Sequence, residues 1–384
     1  MKVVVAPNAF KGCLAAADAA GAMAEGVARA APDAGIARVP VADGGDGLVD
    51  VALAALGGEV REAWVSGPRE RALRARFCHV PALRLAAIEM ALASGLALRV
   101  EDERDPTRTT TRGTGEMIAA ALDLGVTRIA VGIGGSATND GGIGMATALG
   151  VRFLDDRGDA VEPVGGALGR IRRIDASSRD RRLEGVQIEA VCDVDNPLLG
   201  PRGATRVYGP QKGATAEQVE ALEAGLANLA AVVAADLGID VRTLPGGGAA
   251  GGLGAGLRAF LGARLRRGVD VVLDLVDLDR HLDGADLVLT GEGRIDGQTL
   301  FGKAPAGVAA RARARGIPCL AIAGGVGDDL GDLHAIGIDA VFSLCREPLT
   351  LERAITEGRR LLAAATEQAV RAFLAGRGGV GSGR

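Results

Sequence analysis

The chain has 384 residues, 48% of them hydrophobic but only 2% aromatic, and a formal net charge of −4. Two domains are the default expectation at this length, and with few rings and no basic excess, no nucleic-acid partner is expected. No run reaches the roughly 18 uninterrupted apolar residues of a membrane span, and the N-terminus enters a strand-like KVVVAP without a signal-peptide pattern, so a cytoplasmic protein with no membrane partner is expected.

Residues 3–6 form a continuous apolar run, the pattern of a strand buried on both faces. An Ala-rich helix follows from about Leu14 to Ala30, ended by Pro32. Residues 36–41 make a second strand, leading through Asp43-Gly44-Gly45-Asp46-Gly47 to a helix that closes at Gly57-Gly58. This βαβα spacing predicts a parallel α/β sheet. Residues 59–80 alternate, with Pro68 at a hairpin turn, and strands 127–133 and 186–192 lie among Arg/Asp-rich linkers. Compact strands recur at Leu287–Thr290, Pro318–Ala323 and Ala340–Leu344. A helix begins near Ala304, with Pro305 in its first turn, where proline is tolerated. A long amphipathic helix spans Leu351–Leu374, before a tail, GRGGVGSGR, expected to fray. The reading is two α/β domains. Both chain ends build one sheet (1–64 plus 281–384), and 65–280 is inserted.

The five cysteines are scattered without a CxxC, and the three histidines show no ligand spacing, so no structural zinc site is expected. An odd number of dispersed cysteines suits a reducing compartment.

Scarce polar residues are concentrated in a few glycine-rich runs. Four of the 44 basic residues are lysines, and Lys11, Lys212 and Lys303 all stand beside glycine. Of four asparagines, Asn8, Asn139 and Asn196 lie in similar runs, and only Asn228 reads as an ordinary helix residue. An ammonium is a compact point charge that a guanidinium fork does not replace, and phosphate binding is one use for it.

Five runs could carry chemistry. Pro7–Gly12 follows the first strand and places Lys11 where ligands of open parallel sheets bind. Asp43 and Asp46 flank a glycine pair, a pattern that suits a hard cation or a hydroxyl, although Asp46 also reads as a helix cap. Gly132–Gly142 contains Gly134, Gly135, Ser136, Asn139 and Asp140, and its backbone could form an anion-binding nest. Cys192–Pro197 presents Asp193 and Asp195 upstream of Arg202 and Lys212, either as a metal–phosphate clamp or as a Pro-stabilised turn. Thr290–Gln298, read as one loop after a strand, gathers Glu292, Arg294 and Asp296 ahead of Lys303 and ranks first as the catalytic segment. A further uncharged run, Pro245–Gly254, reads equally as a hinge, as close packing or as a phosphate cradle.

The runs APNAFKG, VPVADGGDG, TTRGTGE, GIGGSATNDGG, CDVDNPLLGPRGA, YGPQKGA, TGEGRIDGQT and GKAPAGVA, in this order over nearly the whole chain, resemble the bacterial glycerate kinases. The family often has Asp-Ser where this chain has Asn8-Ala9, and Glu where it has Asp46, so a catalytic acid at position 8 is not carried over. The resemblance implies two α/β domains, one flavodoxin-like, with the active site in the cleft between them. It also implies ATP, Mg²⁺ and D-glycerate, with 2-phosphoglycerate as the expected product and 3-phosphoglycerate as the alternative. On that basis Asp193, Asp195 or Glu292 would hold the metal, and Lys11, Lys212 and Lys303 would neutralise phosphate oxygens. Arg294 would grip the glycerate carboxylate, and Asp296, or failing that Asp43, would accept the hydroxyl proton. Two rival readings are a nucleotide-cofactor oxidoreductase and a non-catalytic sugar-acid sensor. The first lacks GxGxxG after strand one, and the second lacks an appended DNA-binding helix pair or basic arm.

Overall fold

In the computed structural model, which describes residues 1–43, 47–98, 104–300, 303–328 and 330–379, the chain opens on β1 (Lys2–Pro7). Val3, Val4, Val5 and Ala6 are wholly buried, as an unbroken apolar strand in mid-sheet must be. Helix Ala16–Ala30 packs Ala19, Met23 and Val27 into the same core as Val3 and Val5. It returns the chain to β2 (Gly35–Arg38), parallel to β1. This strand is shorter than expected. Val39 and Val41 still donate to the carbonyls of Val5 and Pro7, but beyond Arg38 the regular ladder has ended.

The middle of the chain builds a second sheet. β3 (Glu59–Ser66) and β4 (Ala72–Val80) form an antiparallel hairpin around Pro68, closed by Gly67 N donating to Arg71 O at 2.7 Å. β5 (Leu85–Glu89) is antiparallel to β4, and β6 (Arg128–Gly132) is parallel to β5. β7 (Arg152–Leu154) and β8 (Arg173–Asp175) make a separate ribbon. β9 (Gln187–Val191) and β10 (Arg264–Arg266) complete the order β10-β9-β6-β5-β4-β3. Finally β11 (Leu287–Ile295), β12 (Cys319–Val326) and β13 (Ala340–Ser343) return to β1. The result is an all-parallel sheet in the order β13-β12-β11-β1-β2. That is the flavodoxin-like arrangement, with its reversal of strand order between β1 and β11.

The chain divides into two compact units: Met1–Asp43 with Ala54–Leu56 and Val269–Arg384, and Gly44–Leu53 with Gly57–Gly268. The five-stranded sheet belongs to the first and the six-stranded sheet to the second. Within the second, helix Ala216–Leu237 is long and apolar enough to cross a membrane by length and composition. Its Leu226, Leu229, Ala230 and Val233 are instead core residues, and Asn228 Nδ2 donates to Leu168 O and Ile171 O.

Several local expectations change. The Thr290–Gln298 run is mostly strand, because β11 continues to Ile295 alongside β12. Glycine makes this continuation sterically open: a Cβ at Gly324 would stand 2.5 Å from Gly293 O. The long C-terminal helix is two helices, Leu351–Thr356 and Gly358–Gly379, and a Cβ at the break, on Gly358, would overlap Cys13 Sγ. The glycine-rich tail is helical as far as Gly379, and the rest of it lies outside the described residues, as do Asp46 with its two preceding glycines and Phe301-Gly302. The Pro245–Gly254 run serves close packing. Ala250, Gly251 and Gly252 adopt φ of 54°, 65° and 91°, and a Cβ on Gly251 would overlap Thr138 O.

Gly262 has φ +69° and nothing within 4 Å of an added Cβ, so Gly262→Ala carries the left-handed strain alone, about 1–2 kcal/mol. Gly251→Ala adds the clash and is expected to cost about 3 kcal/mol or more. Urea unfolding of both variants checks this, and equal losses would mean that the Gly251 contact is not close-packed.

Candidate functional site

In open parallel sheets, ligands sit beyond the carboxyl ends of the strands, where strand order reverses. In the first unit those ends belong to β1 and β11, and they deliver Asn8 and Glu292. The Asn8 backbone N–H extends the ladder by one bond, to Gly291 O at 2.8 Å. Asn8 Oδ1 accepts from Ala9 N at 2.7 Å, and its Nδ2 donates to Asp43 Oδ1 at 2.9 Å. The same Asp43 oxygen accepts from Ala304 N at 2.8 Å.

Ala304 is the first residue of helix Ala304–Arg313, so Asp43 caps a helix far away in sequence. A carboxylate is favoured there, since the helix N-terminus carries unpaired N–H groups and the positive end of the dipole. Lys303 stands at the N-cap position without a side-chain cap of its own. Its ammonium instead lies 3.5 Å from Glu292 Oε1. Thr299 Oγ1 donates to that oxygen at 3.0 Å. Glu292 is buried, and burial pushes its carboxyl pKa up; Lys303 and Thr299 pull it down, and the negative charge of Asp43 pushes it up again.

Arg294 has a side chain 70% exposed, and its Nε donates to Asp296 Oδ2 at 2.9 Å. Lys11 is exposed in the loop after β1, and an added Cβ on Gly293 would be 3.5 Å from Lys11 N. The first unit therefore gathers Asn8, Asp43, Glu292, Thr299 and Lys303, with the Arg294–Asp296 pair at the end of the same strand.

In the second unit, the run after β6 is tied down along its length. Ser136 forms a bridge with Gly95, Ala137 N donates to Ser94 O, and Thr109 Oγ1 donates to Ala137 O. Asp140 is wholly buried. Its Oδ2 accepts from Thr111 N (2.7 Å), Thr111 Oγ1 (2.8 Å) and Gly144 N (3.2 Å), and its Oδ1 from Gly142 N (3.1 Å). The carboxylate thus caps helix Ile143–Ala148. Burial raises its pKa, and those hydrogen bonds oppose the rise. Lys212 is only 2% exposed, and its Nζ donates to Thr138 O at 2.7 Å. Burial drops its pKa to about 7, with Asp140 pulling it back up. Asn139 Nδ2 donates to Thr205 Oγ1 at 3.0 Å, while Asn139 Oδ1 and Thr138 Oγ1 are buried without a partner among the described residues. Gly134 is half-buried and Gly135 exposed, so the open edge of this run is its beginning.

Asp193 and Asp195 are exposed beyond β9. Asp193 Oδ1 accepts from Gly268 N at 2.7 Å, and Asp195 pairs with Arg202 at 2.8 Å. Asn196 ties the turn, donating to Arg202 O and accepting from the Tyr208 hydroxyl.

Among the described residues, no three or more His, Cys, Asp or Glu side chains are grouped to hold a metal. Magnesium needs only one or two carboxylates, with water filling the remaining positions. Glu292 and Asp43 fit that requirement. Their charges are near enough for Asp43 to raise the Glu292 pKa, a repulsion that a bound cation would relieve. Asp195 is paired with Arg202 at 2.8 Å, closer than the 3.5 Å at which Lys303 stands from Glu292.

Sequence reasoning passed over two threonines that aim hydroxyls at these acids, Thr299 at Glu292 and Thr111 at Asp140. Both lie in glycine-containing motifs already singled out, but a threonine near a turn reads first as a cap.

The model of the glycerate kinase family matches residues 3–374 of this chain. The chain is 49% identical over 354 residues to the glycerate kinase of Bacillus subtilis (strain 168), covering 92% of this chain and 93% of that protein. It is 47% identical over 354 residues to the glycerate 2-kinase of Escherichia coli (strain K12), with the same coverage of 92% and 93%. Its structure is similar to the crystal structure of a putative glycerate kinase 2 from Salmonella typhimurium LT2, with a TM-score of 0.90 and 44% identity, covering 98% of this chain and 99% of that one.

Lys212 yields a test of its burial. Between pH about 7, its value in the fold, and about 10.4, its unfolded value, the unfolded chain holds a proton that the folded chain has released. Stability is therefore expected to rise with pH across that window in the native chain and to lose this rise in Lys212→Met. Urea midpoints at about pH 7, 8 and 9 check it, and parallel curves for the two proteins would place the ammonium in solvent.

Proposed function

This chain belongs to the glycerate kinase family, and we propose that it transfers the γ-phosphoryl group of ATP to a hydroxyl of D-glycerate in the cytoplasm. We take 2-phosphoglycerate as the product, with 3-phosphoglycerate as the alternative. The observation that carries this reading is the cluster of Asp43, Glu292 and Lys303 at the strand-order reversal of a parallel sheet.

Phosphoryl transfer asks a protein for alignment, charge neutralisation and somewhere for the hydroxyl proton to go. Lys303 is suited to the second task. It is partly exposed, and at 3.5 Å its hold on Glu292 is loose enough to be exchanged for a phosphate oxygen. Lys11 adds a second exposed ammonium at the loop after β1. Arg294 commits Nε to Asp296, which leaves its two Nη groups for the glycerate carboxylate in a bidentate grip. Asp296 then stands beside whatever Arg294 holds and is the first choice as proton acceptor, with Asp43 the second. An alkoxide is strongly basic, so the base is expected to contribute only about 10²-fold, less than positioning and charge.

Glu292 with Asp43 would hold Mg²⁺, and Asp193 and Asp195 are the alternative carboxylates. When bound, the ion supplies charge neutralisation on the phosphate oxygens. Gly134 and Gly135 form the open edge of the second unit's loop, with the buried Ser136 next to them, and this edge is suited to phosphate. With a side chain as buried as that of Lys212, we read Lys212, Asn139 and Asp140 as the frame that holds this edge.

Phosphorus NMR of the protein incubated with ATP, Mg²⁺ and D-glycerate tests the reaction. A new phosphomonoester signal coupled to one proton is expected, coupling to two protons would indicate the other hydroxyl, and intact ATP alone would overturn the reading. Lys303→Arg keeps the charge but changes the shape of the cation, and is expected to lower kcat at least about tenfold. Near-normal turnover would remove Lys303 from the transfer step.

A further inference from the structure

We infer that Thr299 is a positioning residue that sets the orientation of Glu292 and Asp296 together. The inference rests on the reading of these two acids as parts of the phosphoryl-transfer site. Thr299 is wholly buried, so its hydroxyl must find protein partners. It has two. The Asp296 backbone N–H donates to Thr299 Oγ1 at 3.3 Å, and Thr299 Oγ1 donates to Glu292 Oε1 at 3.0 Å.

The direction of these bonds is dictated by chemistry. A backbone N–H can only donate, so it takes an acceptor position on the hydroxyl. The single hydroxyl proton is then directed at Glu292. A second bond locks the turn, with Thr299 N donating to Asp296 O at 2.9 Å. Both hydrogen bonds that Glu292 accepts among the described residues fall on Oε1, from Thr299 and, more distantly, from Lys303. Oε2 accepts none among the described residues. Thr299 therefore anchors one oxygen of a buried carboxylate and leaves the other to be presented. Through the Asp296 backbone it also fixes the turn that carries the acid paired with Arg294. Lys303 cannot do this by itself, because a rotating ammonium at 3.5 Å fixes charge but not orientation.

The test compares Thr299→Val, which keeps the shape and removes the hydroxyl, with Thr299→Ser, which keeps the hydroxyl and removes the methyl. Glu292→Gln and Asp296→Asn are measured alongside. Thr299→Val is expected to lower kcat about tenfold or more, with the KM values for ATP and D-glycerate within about twofold of the native chain. Thr299→Ser is expected to recover most of that loss. Equal losses in the Val and Ser variants would overturn the inference, since keeping the hydroxyl would then rescue nothing. So would a normal kcat in Thr299→Val while Glu292→Gln and Asp296→Asn are impaired. If Glu292→Gln and Asp296→Asn both turn over normally, the reading of the site falls, and the inference falls with it.

Discussion

The parallel pairing of β1 with β11 joins the two ends of the chain, and the first unit's site depends on it. Thr290 Oγ1 reaches back to Ala6 O across 284 residues of sequence, and Asn8 N adds one more bond to Gly291 O. This register puts the loop after β1 beside the residues that continue β11, with the Lys11 backbone close to Gly293. Glu292 and Arg294 are two apart on one strand and share a face. β12 pairs with that strand as far as Ile295, so the face is carried on a hydrogen-bonded strand.

The charges around that strand are divided by geometry. Asp43 performs the capping that Lys303, at the N-cap position, does not, and Lys303 is left to face Glu292. One ammonium thus faces a buried acid that also feels the negative charge of Asp43. Burial, with Asp43 adding to it, outweighs what Lys303 and Thr299 contribute, so the Glu292 pKa remains raised. Such a site has a surplus of negative charge that a cation can relieve.

The second unit handles buried charge differently. Asp140 receives four hydrogen bonds and becomes the cap of a helix, while the ammonium of Lys212 has one carbonyl and the more distant charge of Asp140. Donors to a carboxylate stabilise its charged form, but not enough here to offset full burial, and the pKa values of both groups move toward neutrality. Gly251 lets the Pro245–Gly254 segment press against this loop, since a Cβ there would overlap Thr138 O.

The α/β class, the parallel sheet built from both chain ends and the inserted second domain could be read from the sequence. Continuous apolar strands, alternation at 59–80 and glycine punctuation are local signals of buried and half-buried strands. The order of family motifs along the chain carried the kinase reading, because each run keeps its residues whatever surrounds it. The sequence did not show that Thr290–Gln298 is mostly strand, since its glycines read as loop until a neighbouring strand with glycines of its own is in place beside it. Nor did it show that Lys212 is buried while Lys11 is exposed, as both stand in glycine-rich runs that look alike. The pairings of Asp43 with Ala304 N and of Thr299 with Glu292 were likewise decided by tertiary structure. Composition and periodicity act over a few residues and determine what each segment tends to become. Which acid is capped, buried or left facing a cation depends on groups brought together by the sheet, and that is set by packing across hundreds of residues.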